Sequence, residues 1–224
     1  MDLRLVLTGQ TREHLVEWQE TGFLIHQEAR EAWQALVLRA DAAGFGLRIV
    51  SSFRAYDRQL LIWNEKARGT RNLSDDHGRL LDPGHLTAHD LVHAILRWSA
   101  LPGSSRHHWG TDLDVYDAQA MPEGYDVQLS PAEADGIFGP LHRWLDEALP
   151  GSGFFRPFSK DWGGIAPERW HLSYEPVATQ YYEAFSLNLL EEITRGSQMA
   201  LKETVLAQLP EIYERYVRRI TAAY

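Results

Sequence analysis

Two short stretches of sequence decide how this chain folds. The first reads Ser105-Arg106-His107-His108-Trp109-Gly110-Thr111-Asp112-Leu113-Asp114, and the second, further along, reads Glu168-Arg169-Trp170-His171. Residues 111–116 alternate between polar and apolar side chains, which is typical of a half-buried strand, and residues 170–175 also predict a short strand. If both stretches lie on strands of one small sheet, their histidines and carboxylates come together.

The residue types in these stretches are those of a zinc site. Two imidazoles and one carboxylate, here His107, His171 and Asp114, make a three-ligand site whose fourth position stays open for water. Glu168 would then be the general base that takes a proton from that water and returns it to a leaving amine. Glu168 should not itself bind the metal, because a metal-bound carboxylate could not shuttle protons.

The rest of the chain predicts several helices and a few more strands. Apolar spacing predicts helices over 24–40, 56–67 and 87–98. A capping box predicts a further helix that begins at Ser130, and the chain from 176 is predicted to be helical, with a break at Pro210. Further short strands are predicted at 47–54 and 154–158. Three or four strands among these helices predict an α+β fold, in which a small antiparallel sheet carries the site and helices flank it.

The chain divides into a domain that carries the motifs and a helical extension. We expect the first domain to span 1–186, with the motifs within about 28–180, and the C-terminal extension to span 187–224 and pack on it. Four apolar residues of the extension recur at helical spacing: Tyr213, Tyr216, Val217 and Ile220. This spacing fits either packing on the parent domain or a partner helix, which leaves a dimer and the oligomeric state open.

Composition and charge exclude several classes of protein. Of the 224 residues, 22 are Lys or Arg and 31 are Asp or Glu, so the formal net charge is -9 and no basic run marks a nucleic-acid binder. Cysteine is absent, so a metal must be held by His, Asp or Glu. The sequence shows neither a signal peptide nor a membrane span, which predicts a cytoplasmic location, or a periplasmic one if a leader has been removed.

A second group of histidines competes with the first as a metal site. His85, His89 and His93 follow one another at four-residue steps, which would place three imidazoles on one helical face. A zinc protease helix of the His-Glu-x-x-His type needs a glutamate directly after the first histidine, but Leu86 stands there. We therefore interpret the group as one face of an amphipathic helix rather than a catalytic site.

Three motifs together resemble one known family. Ser105-x-His107-x-x-Gly110-x-x-x-Asp114 and Glu168-x-Trp170-His171 resemble the two signatures of the VanY/VanX-type zinc D-alanyl-D-alanine carboxypeptidases and dipeptidases. The stretch Ser51-Ser52-Phe53-Arg54-Ala55-Tyr56-Asp57-Arg58-Gln59 is similar to the family's S-G-Y-R-S-x-x-x-Q. The family also includes L,D-carboxypeptidases, and the sonic hedgehog amino-terminal domain is similar to it in fold.

The resemblance implies roles for the metal site. It implies that His107, Asp114 and His171 bind one Zn²⁺ per chain and that Glu168 is the catalytic base.

It also implies roles in binding the substrate. Arg54 would lie near the scissile carbonyl or the substrate carboxylate and stabilise developing oxyanion charge. Ser105 and Gln59 would hydrogen-bond the terminal residue of the substrate. Trp170 would pack against and orient the strand that carries His171, or be a plain core aromatic residue.

The chain departs from the family pattern at several positions. Ser52 and Phe53 stand where Gly and Tyr are usual, and Ala55 replaces a Ser. Asp112 stands where the family commonly has a small residue. Because residues i and i+2 of a strand face the same way, Asp112 either orients an imidazole from behind or competes with Asp114 as the ligand. The seven-residue spacing favours Asp114.

The resemblance implies a reaction on peptides derived from peptidoglycan. The expected reaction removes the C-terminal D-alanine of a stem peptide. Cleavage of a tetrapeptide, an L,D activity used in peptidoglycan recycling, is favoured because a cytoplasmic D,D-enzyme would attack the cell's own precursors. The alternatives are a D,D-carboxypeptidase or dipeptidase and, in another class, a non-catalytic zinc-binding module. The presence of both Glu168 and Arg54 favours an enzyme.

Overall fold

Helices and two small sheets make up the computed structural model, which describes residues 1–222. The α-helices are α1 Leu3–Leu7, α2 Arg30–Ala42, α3 Tyr56–Ala67, α4 Ala88–Trp98, α5 Pro131–Asp135, α6 Gly139–Ala148, α7 Glu175–Ala184, α8 Leu187–Gly196, α9 Lys202–Ala207 and α10 Leu209–Ile212. The strands are β1 Leu15–Glu17, β2 Leu24–His26, β3 Leu47–Ser51, β4 Asp112–Asp117, β5 Phe154–Phe155 and β6 His171–Tyr174. Short 3₁₀ helices cover Gln27–Ala29, Pro83–His85 and Arg106–Trp109, and a π-helical turn covers Tyr213–Val217.

The larger sheet carries the two decisive stretches on its central strands. Its order is β3-β4-β6-β5 and all its pairings are antiparallel, while β1 and β2 form a separate hairpin. In the register of β4 and β6, Asp112 faces Ser173 and Asp114 faces His171. The predicted α+β class with a small antiparallel sheet flanked by helices is confirmed.

Strand alternation separates the core from the site. Leu113, Val115 and Leu172 point to the face of the sheet that packs against α2 and α6, where they are buried in one hydrophobic core. Their neighbours Asp114 and His171 point to the opposite face. A second core lies beyond that face and joins α1, α3 and α4 to the C-terminal helices.

The predicted helix over 24–40 is wrong at its start. Residues Leu24–His26 form strand β2, which pairs with β1, and the helix begins only at Arg30. The difference arises from tertiary contacts, because the amide of His26 donates to the carbonyl of Gly110 at 2.7 Å and so ties the hairpin to the site-bearing segment. Apolar spacing within 24–40 cannot report such a contact.

His107 lies on a 3₁₀ helix that precedes the predicted strand. The helix Arg106–Trp109 ends at Gly110, whose φ of 69° is left-handed. A Cβ atom at this position would lie 2.3 Å from Leu15 Cδ2, so the turn and the close approach of the β1–β2 hairpin both require glycine. The turn sends the chain from His107 into β4.

The C-terminal helices pack on the second core. Val205, Leu209, Ile212, Tyr213 and Tyr216 are buried in the cluster that also contains residues of α3 and α4. The break predicted at Pro210 lies slightly earlier, between α9 and α10, and the proline occupies the first turn of α10. The last two residues of the predicted extension, 223 and 224, lie outside the described part, and the domain boundary at 186 stays a prediction.

Within residues 1–222, no helix is long and apolar enough to cross a membrane.

Candidate active site

Three potential metal-binding side chains converge on one face of the sheet. Asp114 of β4 lies opposite His171 of β6, and His107 reaches the same place from its 3₁₀ helix. His107 Nε2 lies 3.2 Å from Asp114 Oδ2, and His171 Nδ1 lies 3.3 Å from Asp114 Oδ1. One donor atom from each of the three buried side chains lies within 4.8 Å of the others.

Hydrogen bonds on the far side of each imidazole orient the rings. His107 Nδ1 donates to the carbonyl oxygen of Ser52 at 2.9 Å, and His171 Nε2 donates to Asp112 Oδ1 at 2.9 Å. These bonds leave His107 Nε2 and His171 Nδ1 facing Asp114. This is the arrangement in which histidines bind a metal.

Asp112 is the centre of a buried polar network. The carboxylate accepts hydrogen bonds from Arg106 Nε at 2.8 Å, Thr111 Oγ1 at 2.6 Å and Ser173 Oγ at 3.1 Å, in addition to that from His171. Burial opposes its ionisation, but the charge of Arg106 and these hydrogen bonds hold the pKa of Asp112 well below its usual range. Asp112 therefore lies behind His171 and is fully engaged there.

The donor set fits zinc. Two neutral imidazole nitrogens and one carboxylate form the three-ligand set with an open position that catalytic zinc prefers. Asp114 Oδ1 is buried and accepts no hydrogen bond from the described residues, so an acceptor is left for a cation. Burial opposes the ionisation of Asp114, but its contacts with His107 and His171 hold the pKa of Asp114 below its usual range, so its carboxylate is ionised.

Glu168 lies at the edge of this cluster. Its Oε2 is 3.2 Å from His171 Nδ1, and its side chain is 13% exposed. A turn holds the residue in place, because its amide donates to Phe158 at 2.8 Å and its carbonyl accepts from the amide of His171 at 3.3 Å. The carboxylate belongs to the lining of a cavity and is not one of the three converging side chains.

Arg54 reaches the cavity from the loop after β3. Its guanidinium donates to Gln59 Oε1 at 3.0 Å and to Ser51 Oγ at 3.1 Å, and its amide donates to the carbonyl of His107. Burial lowers the pKa of Arg54, whereas the charges of Asp114 and Glu168 act in the opposite direction. A cation held rigidly next to these carboxylates is suited to stabilise negative charge that develops in the cavity.

Of the remaining predicted site residues, two line the cavity and one does not. Ser105 and Trp170 line the cavity, and the hydroxyl of Ser105 makes no hydrogen bond within residues 1–222. Gln59 is fully buried, and its amide nitrogen donates to the carbonyl of Ala100 at 2.7 Å. Because both ends of the Gln59 amide are used, the structure does not bring it to the cavity, and it holds Arg54 in place instead of facing a substrate.

The cavity has a volume of about 800 Å³ and opens in front of the cluster. One wall comes from the sheet and the loops that carry the site. The opposite wall comes from α7 and the C-terminal segment, through Tyr182, Phe185, Tyr216, Val217 and Ile220. The space is large enough for a peptide several residues long.

Comparison with known proteins agrees with this site. The sequence model of VanY, described as D-alanyl-D-alanine carboxypeptidase, matches residues 22–177, which include all three motifs. The chain belongs to the VanY family. Membership places it among the peptidases that hydrolyse peptidoglycan peptides.

Individual proteins are similar to this chain in sequence or in fold. An uncharacterized protein of Haemophilus influenzae is 32% identical over 121 residues, which are 52% of this chain and 92% of that protein. The structure of VanYB in complex with D-alanine-D-alanine has a TM-score of 0.53 and 21% identity, covering 85% of this chain and 87% of its own.

Two further solved structures share the fold. A mutant of the D,D-pentapeptidase VanY in complex with Zn(II) has a TM-score of 0.51 and 22% identity, covering 87% of this chain and 92% of its own. The LdcB LD-carboxypeptidase has a TM-score of 0.51 and 21% identity, covering 81% of this chain and 78% of its own.

The second histidine group of this VanY-family chain does not line the cavity. His85 belongs to the 3₁₀ helix before α4 and lies 3.5 Å from Asp82, so the prediction of three imidazoles on one helix is wrong. His93 is bonded at both nitrogens, to the hydroxyl of Tyr216 at 2.8 Å and to Gln208 Oε1 at 2.9 Å. Its role is to attach α4 to the C-terminal helices.

Replacing both exposed histidines should therefore leave catalysis intact. We expect His85→Ala combined with His89→Ala to keep kcat/KM within about two-fold of the parent, because surface changes of this kind have small effects and neither residue lines the cavity. Steady-state hydrolysis of a stem peptide measures this. A collapse of activity would transfer the catalytic site to α4.

Two residues that support the site of this VanY-family chain were not predicted from its sequence. Arg106 pairs with Asp112, and Ser173 bonds both of them, through Arg106 Nη2 at 2.7 Å and Asp112 Oδ2 at 3.1 Å. Ser173 could have been found from strand alternation, because it follows His171 by two residues and faces the same side. Arg106 had no such signal.

Proposed function

We propose that the chain is a zinc-dependent carboxypeptidase that removes the C-terminal D-alanine of peptidoglycan stem peptides. The observation that carries this proposal is the convergence of His107, Asp114 and His171 beside Glu168 at the wall of one cavity. Three ligands with an open position and an unligated carboxylate next to them are the parts of a metallopeptidase. Family membership supplies the substrate class.

Each side chain has a part in the reaction. When bound, zinc supplies Lewis acidity, which polarises the scissile carbonyl and makes water a stronger acid. Glu168 accepts the proton of the attacking water and transfers it to the amine of the departing D-alanine, so that one water is consumed for each peptide bond broken. Arg54 stabilises the negative charge that develops on the carbonyl oxygen.

Residues around these groups hold them in position. Asp112 fixes His171, and Ser52 fixes His107 through its carbonyl. Gln59 and Ser51 fix the guanidinium of Arg54. We assign the free hydroxyl of Ser105 to hydrogen bonding with the substrate and Trp170 to packing under the strand that carries His171.

Within this substrate class we propose that the tetrapeptide is preferred, which is an L,D activity with a role in peptidoglycan recycling. The size of the cavity supports a peptide of several residues over a free dipeptide.

A side-by-side hydrolysis experiment tests the proposal. Zinc-loaded protein is given tetrapeptide and pentapeptide stems, and mass spectrometry follows the loss of alanine over time. Loss from the tetrapeptide alone supports the full proposal. Loss from the pentapeptide alone keeps the carboxypeptidase and overturns the L,D preference. If protein that holds zinc cleaves neither stem peptide, the proposed enzymatic function is overturned and a non-catalytic zinc-binding module is favoured.

A further inference from the structure

One cation in the wall of the cavity has no partner among residues 1–222. Lys66 lies in the last turn of α3 and lines the same cavity as Glu168 and Arg54. Within residues 1–222 its ammonium group makes no hydrogen bond and no salt bridge. The charges of Arg71, Glu168 and Arg54 all act on its ammonium group.

The other cationic side chains of the cavity are already engaged. Arg71 Nε lies 3.0 Å from Glu65 Oε2, Arg106 Nε lies 2.8 Å from Asp112, and Arg54 donates two hydrogen bonds.

Two further carboxylates of the cavity also have partners. Asp75 pairs with Arg79 at 2.7 Å, and Asp76 pairs with Arg97 at 2.7 Å. Lys66 is thus the cation that the described cavity leaves for an anion from outside the protein.

An unpaired cation in this position is costly to keep unless a ligand uses it. Burial, followed by the nearby charge of Arg71, lowers the pKa of Lys66 to about 8. The group is still protonated at neutral pH, and removing a charge from water without a counter-ion is unfavourable. Perturbed ionisable groups in clefts are concentrated at binding and catalytic sites.

We propose that Lys66 binds the free C-terminal carboxylate of the peptide substrate. This inference rests on the proposed carboxypeptidase function. The terminal carboxylate lies one residue from the scissile bond, and consecutive Cα atoms are only about 3.8 Å apart, so its anchor must lie near Glu168. Lys66 lines the same cavity as Glu168, whose charge acts on its ammonium group. A cation there selects the chain end over internal peptide bonds.

Comparison of a free-acid peptide with its amide isolates this contact. The probes are a tetrapeptide that ends in L-lysyl-D-alanine and the same peptide with a C-terminal carboxamide. We expect Lys66→Met to raise KM for the acid roughly 10- to 100-fold, since a hydrogen bond to a charged group is lost, and to leave KM for the amide and kcat for both nearly unchanged. Lys66→Arg should keep most of the preference for the acid.

A matched lysine serves as the control. Lys160 is exposed and does not line the cavity, so Lys160→Met should change neither KM nor kcat. Thermal denaturation of each variant shows that the fold is retained. An equal loss with acid and amide in Lys66→Met would overturn the proposal, because Lys66 would then act through Glu168 or through the fold.

Binding measured by calorimetry separates this inference from the proposed function. If the parent protein hydrolyses neither probe but binds the acid more tightly than the amide, and Lys66→Met removes that difference, the carboxylate site stands and the enzymatic function fails. If the parent binds or cleaves both probes equally well, the carboxylate site is overturned whatever the activity.

Discussion

Glu168→Gln should abolish most of the turnover and leave the metal in place. The amide keeps the shape of the side chain but cannot accept the proton of the attacking water, and general base catalysis contributes roughly 10²- to 10⁴-fold to a rate. We expect kcat to fall by that factor. Zinc content, measured by inductively coupled plasma mass spectrometry, should stay at one per chain, because Glu168 lies beside the three converging side chains and is not one of them.

The control is a glutamate outside the cavity. Glu175 lies in the first turn of α7, is exposed and does not line the cavity, so Glu175→Gln should keep the parent kcat. Loss of zinc together with activity in Glu168→Gln would show that Glu168 is a ligand, and the assignment of the base would be wrong. Retained activity would place the base elsewhere.

Asp114→Asn should mainly weaken zinc binding, whereas Asp112→Asn should mainly destabilise the fold, although the two aspartates face the same side of β4. Asp114 Oδ1 accepts no hydrogen bond from the described residues, and the two carboxylate oxygens face one imidazole each, so replacing Asp114 removes a metal ligand. Residues that merely support a ligand are worth about 10- to 100-fold in affinity, so losing a ligand should cost at least about 100-fold in zinc affinity. Competition with a chelator measures this.

Asp112→Asn should destabilise the fold instead. Asp112 is fully buried against Arg106, and removing one partner of a buried ion pair costs roughly 3–5 kcal/mol because the other charge is left uncompensated. The free energy of unfolding of the metal-free variants, from urea denaturation, should show this loss for Asp112→Asn and a smaller one for Asp114→Asn. The reverse pattern would make Asp112 the ligand.

The sequence was sufficient for the parts of the site that depend on strand geometry. Strand alternation placed Asp112 and Asp114 on one face, and the structure shows them there with Asp114 opposite His171. The α+β class followed from the number and spacing of the elements. These features are local, so residue type and period determine them.

Other features depend on contacts between distant segments and could not be read from spacing. The β1–β2 hairpin exists because His26 bonds to Gly110, and the 3₁₀ helix that carries His107 is closed by the same glycine. The burial of Gln59 between Arg54 and Ala100 reverses the expectation of a substrate contact. Likewise, the sequence cannot show that Lys66 lacks a partner among residues 1–222, because this depends on where the carboxylates of distant segments lie.

The cavity wall formed by the C-terminal segment has a consequence for how substrate specificity evolves in this family. Tyr182, Tyr216 and Val217 lie beyond residue 177, where the match to the VanY family ends, yet they face the same space as His107 and Glu168. The catalytic motifs and this wall can therefore diverge separately. Two relatives with identical motifs can select different peptides. The substrate preference can thus change without any substitution among the residues by which the family is recognised.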